Sequence, residues 1–206
     1  YRISPIVSST GPIRLYFSTP VKIEALKKGL IVNFDYVLRH NYMISESGRV
    51  FKDESSFELV PKQPLVPGEQ YEVKFDGLLS NYTNDIRKTG FHQIFKVADV
   101  PKIVKTEPAD GEKDVKLYNL ISVDFSEDMK EVDIKVEGMM GDIKLEGKTA
   151  TFKPYTVFKP NATYEVKVTG KSIFDEEMSP YAFEFTTVDM EDKWWVEVNL
   201  RPIQKV

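Results

Sequence analysis

The sequence predicts an all-β protein built of two tandem antiparallel β-sandwiches, and two observations lead to this prediction. First, apolar and polar residues alternate with a period of two along much of the 206-residue chain, as half-buried strands require. Second, one eleven-residue phrase occurs twice: PGEQYEVKFDG ends at Gly77, and PNATYEVKVTG ends 93 positions later at Gly170. A repeat of about 90 to 100 residues is too long for a solenoid unit and suits tandem domains.

The alternation is clearest inside the repeated phrase. In the second copy Tyr164, Val166 and Val168 point to one face of a predicted strand, and Glu165 and Lys167 point to the other. Gly, Pro, Asn and Asp turns separate such segments, which is the rhythm of an antiparallel sandwich. Further alternating segments lie at 13–17, 71–75, 121–125, 132–136, 143–145 and 183–185. The one helix-like stretch is IEALKK (23–28), followed by Gly29, and it is short enough for only one or two turns.

Two further blocks recur in the same order and define the predicted domains. Residues 14–21 resemble 122–129 at an offset of 108, and 95–99 resemble 185–189 at an offset of 90. The first copy therefore contains about fifteen extra residues in its middle. We predict one sandwich at 1–98, a second at 99–189, and a tail strand at 190–206 that starts a further domain or adds to a sheet edge.

Composition excludes several classes of function. The net charge of −4 and the lack of a basic run argue against a nucleic-acid partner. No apolar run of about 18 residues is present, so we predict no transmembrane segment in this fragment. The chain has no cysteine, which excludes disulfides, thiolate catalysis and cysteine zinc sites.

The motifs of the second copy resemble the bacterial Ig-like domain family of S-layer and cell-surface proteins. They are EPADGEKDV (107–115), ISVDFSEDM (121–129), the YEV block and the closing FEFTT (183–187). The resemblance implies two tandem Ig-like β-sandwiches that act as spacers or interaction modules, in an extracellular or cell-envelope location. The stretch FDEEMSPY (174–181) departs from the turn that this family often has.

The first copy is also similar to the N-terminal domains of bacterial alpha-macroglobulins. The similar segments are TGPIRLYFSTPVKIEALKKGLIVNF (10–34) and PLVPGEQYEV (64–73). Those large proteins trap proteases, and their reactive thioester needs a cysteine. Because this chain has none, the resemblance implies scaffold domains rather than the trap itself.

No catalytic or metal-binding arrangement is recognisable. His40 and His92 are the only histidines, and neither lies in a setting typical of a Ser-His-Asp triad. The acidic loops at 110–114, 124–128 and 175–177 lack the spacing of a calcium loop and have lysines nearby. We therefore predict no enzymatic activity, no catalytic residues, no metal and no cofactor.

Candidate partner contacts lie where the two copies differ. The insertion YVLRHNYMISESGRVF (36–51) is predicted to form a hairpin with its turn at 45–48, which places Tyr36, His40 and Tyr42 for contact with a partner. In the tail, Trp194 and Trp195 offer a second candidate surface.

Three functions follow. The leading one is a non-enzymatic structural and interaction module of a larger bacterial cell-surface or secreted protein. Its partners are other domains of the same polypeptide, or a protein partner bound through sheet edges or loops. One alternative is a set of scaffold domains of an alpha-macroglobulin-like protease inhibitor. The other is a carbohydrate-binding accessory module of a surface polysaccharide enzyme, with the two tryptophans stacked on sugar.

Overall fold

The computed structural model describes residues 5–80 and 86–189. The chain divides into two compact units, the first holding residues 5–100 with 172–176 and the second holding 101–171 with 177–189. Both are built almost wholly of strands, so the predicted all-β sandwich fold is confirmed. Within these residues, no helix is long and apolar enough to cross a membrane. The exact domain bounds that the repeat suggests stay a prediction.

The first unit contains two sheets and one short helix. Its strand orders are β1-β7-β6-β3 and β2-β5-β4. The helix ends at Gly29, as predicted from the sequence. The elements are β1 (Ile6–Val7), β2 (Ile13–Tyr16), α1 (Ile23–Gly29), β3 (Leu30–Val32), β4 (Tyr36–Ile44), β5 (Val50–Pro61), β6 (Gln70–Ser80) and β7 (Ile86–Val97).

The second unit contains two four-stranded sheets. Their strand orders are β12-β13-β10-β8 and β11-β14-β15-β9. The elements are β8 (Ile103–Glu107), β9 (Glu112–Val115), β10 (Ile121–Phe125), β11 (Met129–Val136), β12 (Gly141–Glu146), β13 (Thr149–Pro154), β14 (Thr163–Ser172) and β15 (Tyr181–Thr187).

The core of each unit is made by the alternating residues. Val166 and Val168 are fully buried on β14, while Glu165 and Lys167, on the opposite face, form an exposed ion pair at 2.9 Å. The same arrangement recurs on β6, where Val73 and Phe75 are buried and Glu72 pairs with Lys74 at 2.8 Å. Removing these apolar faces from water is the main stabilising contribution to both sandwiches.

The repeated phrase forms the same turn and the same tyrosine contact in both units. Gly68 (φ +83°) and Asn161 (φ +50°) stand at equivalent positions, and both adopt the left-handed conformation that favours Gly and Asn. The Tyr71 hydroxyl accepts a hydrogen bond from the backbone N–H of Val66 at 3.1 Å. Tyr164 accepts one from Lys159 at 2.8 Å, so each tyrosine closes the turn that leads into its own strand.

The extra residues of the first copy lengthen one hairpin. Register matches β4–β5 to β12–β13 of the second unit, because both pairs lie beside the equivalent strands β2 and β10. In the first unit the hairpin turn is closed by a hydrogen bond from Gly48 N–H to Ser45 C=O at 2.8 Å, and Gly48 has a φ of +76°. The turn predicted at 45–48 is confirmed.

Candidate interaction surface

The three candidate residues of the insertion all lie on β4, but they face different surroundings. Tyr36 packs edge-on against Phe34, with ring centroids 6.1 Å apart. The ring of His40 lies 4.9 Å from that of Phe57. Only Tyr42 is well exposed. Tyr36 and His40 therefore support the hairpin from its inner face, and Tyr42 is the one of the three that is available to a partner.

A bend in β5 separates the hairpin into a base and an end that projects past the sheet. His40 stands opposite Phe57, but the next residue, Asn41, stands opposite Asp53, so the register shifts between them. The Asp53 carboxylate accepts hydrogen bonds from the backbone N–H of Ser55 at 2.9 Å and from its hydroxyl at 2.6 Å. These two bonds hold the bend, and they lower the pKa of Asp53 below its ordinary value. Because β2 pairs only as far as Ser56 of β5, the projecting end has two strands.

The projecting end is strongly apolar. We call the following residues the hairpin tip, and their exposed fractions lie between 46% and 72%: Tyr42, Met43, Ile44, Val50 and Phe51. Met43 stands opposite Phe51, and Ile44 stands opposite Val50, so apolar pairs occupy both faces of the two-stranded end. Contiguous exposed apolar side chains of this kind mark interaction sites on soluble proteins.

The base of the hairpin is held by a buried carboxylate. The side chain of Glu58 is only 8% exposed and lies between two arginines on neighbouring strands. Arg14 Nε donates to Oε1 at 3.1 Å, and Arg39 Nε donates to Oε2 at 3.0 Å. The pKa of Arg14 is raised, first by its hydrogen bond to Glu58. The triad joins β2, β5 and β4 across one face of the sheet and fixes the position of β4.

His40 has an unsatisfied nitrogen. Its Nδ1 is buried and, among the residues that the structure describes, has no hydrogen-bond partner. Such a group costs about 1–3 kcal/mol. His40 lies on β4, the strand that also contributes Tyr42, Met43 and Ile44 to the hairpin tip. Hydrogen bonding is therefore less complete on β4 than in the rest of the described interior.

The second candidate pair, Trp194 and Trp195, lies outside the described residues. Their predicted role in partner contact stays a prediction.

The surroundings of the two histidines do not assemble a catalytic triad. His92 Nε2 lies 2.9 Å from Glu72 Oε2, and Lys74 occupies the other oxygen of that carboxylate at 2.8 Å. The ring of His40 is tilted by 42° against that of Phe57. Within 5–80 and 86–189, no hydrogen bond joins a Ser or Thr hydroxyl to either ring, whereas nucleophilic catalysis needs such a pair. His92 is exposed, as the alternation on its strand predicts.

The acidic loops of the second unit satisfy local backbone and side-chain groups. Asp124 accepts a hydrogen bond from the Thr149 hydroxyl at 2.7 Å. Asp110 accepts one from the N–H of Glu184 at 3.2 Å. In the described part of the chain, no three His, Cys, Asp or Glu side chains converge as metal ligands do.

An open depression of about 480 Å³ lies beside β11 and β14 in the second unit. Lys171 lies in it and pairs with Glu177 at 3.2 Å and with Glu131 at 3.9 Å. These ion pairs account for the charged side chains that line the depression. We assign no chemistry to it.

Sequence patterns pointed to the insertion but not to all of its exposed residues. The predicted contacts are Tyr36, His40 and Tyr42, whereas the exposed tip also contains Met43, Ile44, Val50 and Phe51. Residues 36–44 have one charged residue, Arg39, and no Pro, whereas several charges or a Pro usually protect an edge strand.

Comparison with known proteins finds a family similarity over the second unit. The model of the bacterial Ig-like domain family matches residues 97–187, which confirms the Ig-like sandwich predicted there. Among curated protein sequences, none matches the chain significantly.

Solved structures with similar sandwiches are distant. One is the Bacteroides ovatus protein SGBP-B of a mixed-linkage glucan utilization locus, in complex with a mixed-linkage heptasaccharide (12% identity, TM-score 0.30). The match covers 92% of this chain and 45% of that one. Another is the fibronectin(III)-like modules of Clostridium thermocellum CbhA (11%, TM-score 0.34, 90% of each chain). A third is chimeric titin Z1Z2 (13%, TM-score 0.33, 90% and 92%). These similarities are too weak to transfer a ligand or a partner.

Proposed function

We propose that this chain is a non-catalytic structural and interaction module of a larger bacterial cell-surface or secreted protein. The family match of residues 97–187 supports a bacterial Ig-like module. Domains of this kind serve mainly to space and present other domains, and function then lies in surfaces added to the sandwich.

The observation behind the interaction role is the hairpin tip. Five large apolar side chains stand exposed on a hairpin whose base is fixed by the Glu58 triad. A rigid base with an apolar end is the arrangement expected of a docking element, because little conformational freedom is lost when it binds. The hairpin is also where the first unit departs most from the second.

The experiment is site-specific photo-crosslinking on intact cells that produce the parent protein. A crosslinker at Tyr42 or Ile44 is expected to join a protein of the cell envelope, or another copy of the parent. The matched control is a crosslinker at Tyr118 of the second unit, which is 72% exposed but stands apart from any apolar tip; it is expected to give no discrete product. Protease added to intact cells should cleave the module.

Two results would contradict the proposal. Equal crosslinking from Tyr118 and from the hairpin tip would remove the reason to assign binding to the hairpin. Protection from external protease until the cells are lysed would exclude the surface location.

The two alternatives predicted from the sequence have their own tests. A thioester motif downstream in the full-length gene would favour the protease-inhibitor scaffold. Glycan binding that is lost in a Trp195→Ala variant would favour the carbohydrate-binding module. Equal glycan binding by the native chain and the variant would exclude a role for that tryptophan.

A further inference from the structure

The outer edge of β4 is unpaired along nine residues. β5 occupies one side of the strand, and no strand within 5–80 or 86–189 pairs with the other. Val37 (52% exposed) and Met43 (47% exposed) lie along it. Its single charged side chain, Arg39, is already bound to Glu58. A long, apolar edge of this kind is a template for another strand.

The other described edges are shorter or more charged. In the first unit β1, β2 and β3 have only two, four and three residues. β1 pairs with β7 only at Lys96 and Val97, so β7 has a second long unpaired edge, which carries Lys88. In the second unit the edge strands β8, β9, β11 and β12 all present charged side chains, as native proteins do to prevent sheets from joining. These side chains are Lys105, Glu107, Glu112, Lys113, Asp114, Lys130, Glu131, Asp133, Lys135, Asp142, Lys144 and Glu146. The β4 edge, with one charge in nine residues, differs from these charged edges.

We propose that β4 pairs antiparallel with β4 of a second copy of this chain, around a two-fold axis at His40. The proposal deepens the interaction role proposed above and rests on it. A two-fold interface uses the same surface twice, so a strand can serve it only if its sequence is complementary to itself when reversed. The two three-stranded sheets would then form one six-stranded sheet.

Directly opposed residues in a continuous sheet point to the same face. The axis must therefore lie between two copies of one residue, which stands opposite its own copy. Three such registers give the two β4 strands a substantial overlap. The central choices are Arg39, His40 and Asn41. An axis at Arg39 sets two arginines directly opposite each other, which is destabilising. An axis at Asn41 sets Arg39 opposite an apolar Met43 and leaves Tyr36 and Val37 without partners.

The register centred on His40 matches apolar side chains in three of its five distinct pairings, and it sets His40 opposite its own copy. Tyr36 meets Ile44 of the second copy, Val37 meets Met43, and Leu38 meets Tyr42. Arg39 meets the uncharged Asn41. Each of the three apolar contacts occurs twice because of the symmetry, and no like charges are directly opposed.

An edge of nine residues is a small interface. Associations that bury less than about 1,200 Å² are typically weak and transient, so we expect a dissociation constant on the order of tens of micromolar. Such weak pairing becomes effective when the chains are held at high local concentration, as on a surface.

The test is sedimentation equilibrium of the 206-residue chain over a concentration range of about 1–500 µM. The double variant Val37→Lys/Met43→Lys places lysine opposite lysine at two positions and should weaken dimerisation at least about tenfold. The variant Val37→Glu/Met43→Glu should do the same. An equimolar mixture of the two should form a heterodimer within about threefold of the native affinity, because each lysine then meets a glutamate.

The matched control is Val50→Lys/Phe51→Lys. These residues are exposed and apolar and belong to the same tip, but they lie on β5, which takes no part in the proposed β4–β4 pairing. This variant should dimerise within about threefold of the native chain. Circular dichroism of every variant establishes that the monomer is folded, since all four positions are exposed.

Three outcomes would overturn the proposal. A native chain that stays monomeric at the highest concentration excludes the second copy as occupant. Equal loss in the Val50→Lys/Phe51→Lys control shows association through the apolar tip rather than the edge. Failure of the lysine and glutamate variants to rescue each other excludes the His40 register. A monomer that still crosslinks to another envelope protein would overturn this inference and leave the proposed interaction role standing.

Discussion

The β4–β5 hairpin and the β12–β13 hairpin occupy the same place in two copies of one sandwich, yet they present opposite surfaces. β12 has six residues and exposes Asp142, Lys144 and Glu146. β4 has nine residues and only one charge, which a buried glutamate holds. The neighbouring strands pair equivalently in the two units, as β2–β5–β4 in the first and β10–β13–β12 in the second. The duplicated chain has thus preserved the sheet and changed the edge.

The comparison extends to residues paired in equivalent registers. Phe57 stands between Leu15 and His40, and its equivalent Ala150 stands between Val123 and Leu145. Glu58 likewise corresponds to Thr151. In the first unit Phe57 thus belongs to a small core with Val21, Leu26 and Phe75, and the long hairpin has an ionic base. Such additions allow a projecting element to stay rigid.

The largest expected effect breaks that small core. Phe57 is fully buried, with its ring 5.8 Å from Phe17. Phe57→Ala, which installs the residue found at the equivalent position 150, should lower the unfolding free energy of the first unit by about 3–5 kcal/mol. Urea unfolding followed by hydrogen exchange resolves the loss to that unit.

The control for this prediction lies on the same strand. Phe51 is exposed, so Phe51→Ala should change stability by less than about 0.5 kcal/mol. Similar losses from both substitutions would show that burial of Phe57 does not stabilise the first unit more than the exposed Phe51 does.

A medium effect is expected at the ionic base. Glu58→Thr removes two charge-assisted hydrogen bonds, and because both arginines are half exposed the cost should be about 1–2 kcal/mol. The measurement is the urea midpoint at low and at high salt. Glu165→Thr, which breaks an exposed pair in the second unit, should cost less than about 1 kcal/mol. A larger loss of stability in Glu165→Thr than in Glu58→Thr would show that the exposed pair stabilises its unit more than the Glu58 triad does.

The third prediction concerns the tyrosine hydroxyl contact that the two units share. Tyr164 is buried and its hydroxyl accepts a hydrogen bond at 2.8 Å, whereas Tyr71 is less buried and accepts one at 3.1 Å. Tyr164→Phe should therefore destabilise its unit by about 1 kcal/mol and Tyr71→Phe by about half as much. Thermal unfolding of the two single variants checks the order. An equal or inverted order would mean that burial does not govern the strength of this contact.

Sequence reasoning succeeded where one local rule controls the structure. Alternation placed Val73, Phe75 and Val166 in the cores, because a strand side chain has only two directions. The left-handed conformation of Gly48 follows from backbone sterics. The repeat indicated where the copies differ, and that is where the exposed tip lies.

What escaped prediction depends on contacts between distant strands. Glu58 is buried because Arg14 and Arg39 converge on it from two neighbours, and a single strand does not show this. The projection of the hairpin depends on a register shift after His40. The sequence does not show that shift, so of the three residues predicted there Tyr42 is exposed and Tyr36 and His40 are turned inward.

The smallest expected effect concerns an ion pair that the units share and a histidine that only the first has. Lys74, and to a lesser degree His92, lower the pKa of the Glu72 carboxyl below its ordinary value. In the register of the second unit, Lys167 stands opposite Ala182 where Lys74 stands opposite His92.

A depressed carboxyl pKa means that the folded state favours the ionised form. Its stabilisation is therefore complete above the ordinary glutamate pKa and is lost as the pH falls through the lowered value. The variant His92→Ala copies the second unit and should move the pKa of Glu72 part of the way back up. Lys74→Ala should move it further, because the lysine is the larger cause. Carboxyl titration by NMR measures both shifts. A greater shift in His92→Ala than in Lys74→Ala would show that the histidine, absent from the second copy, controls this carboxylate.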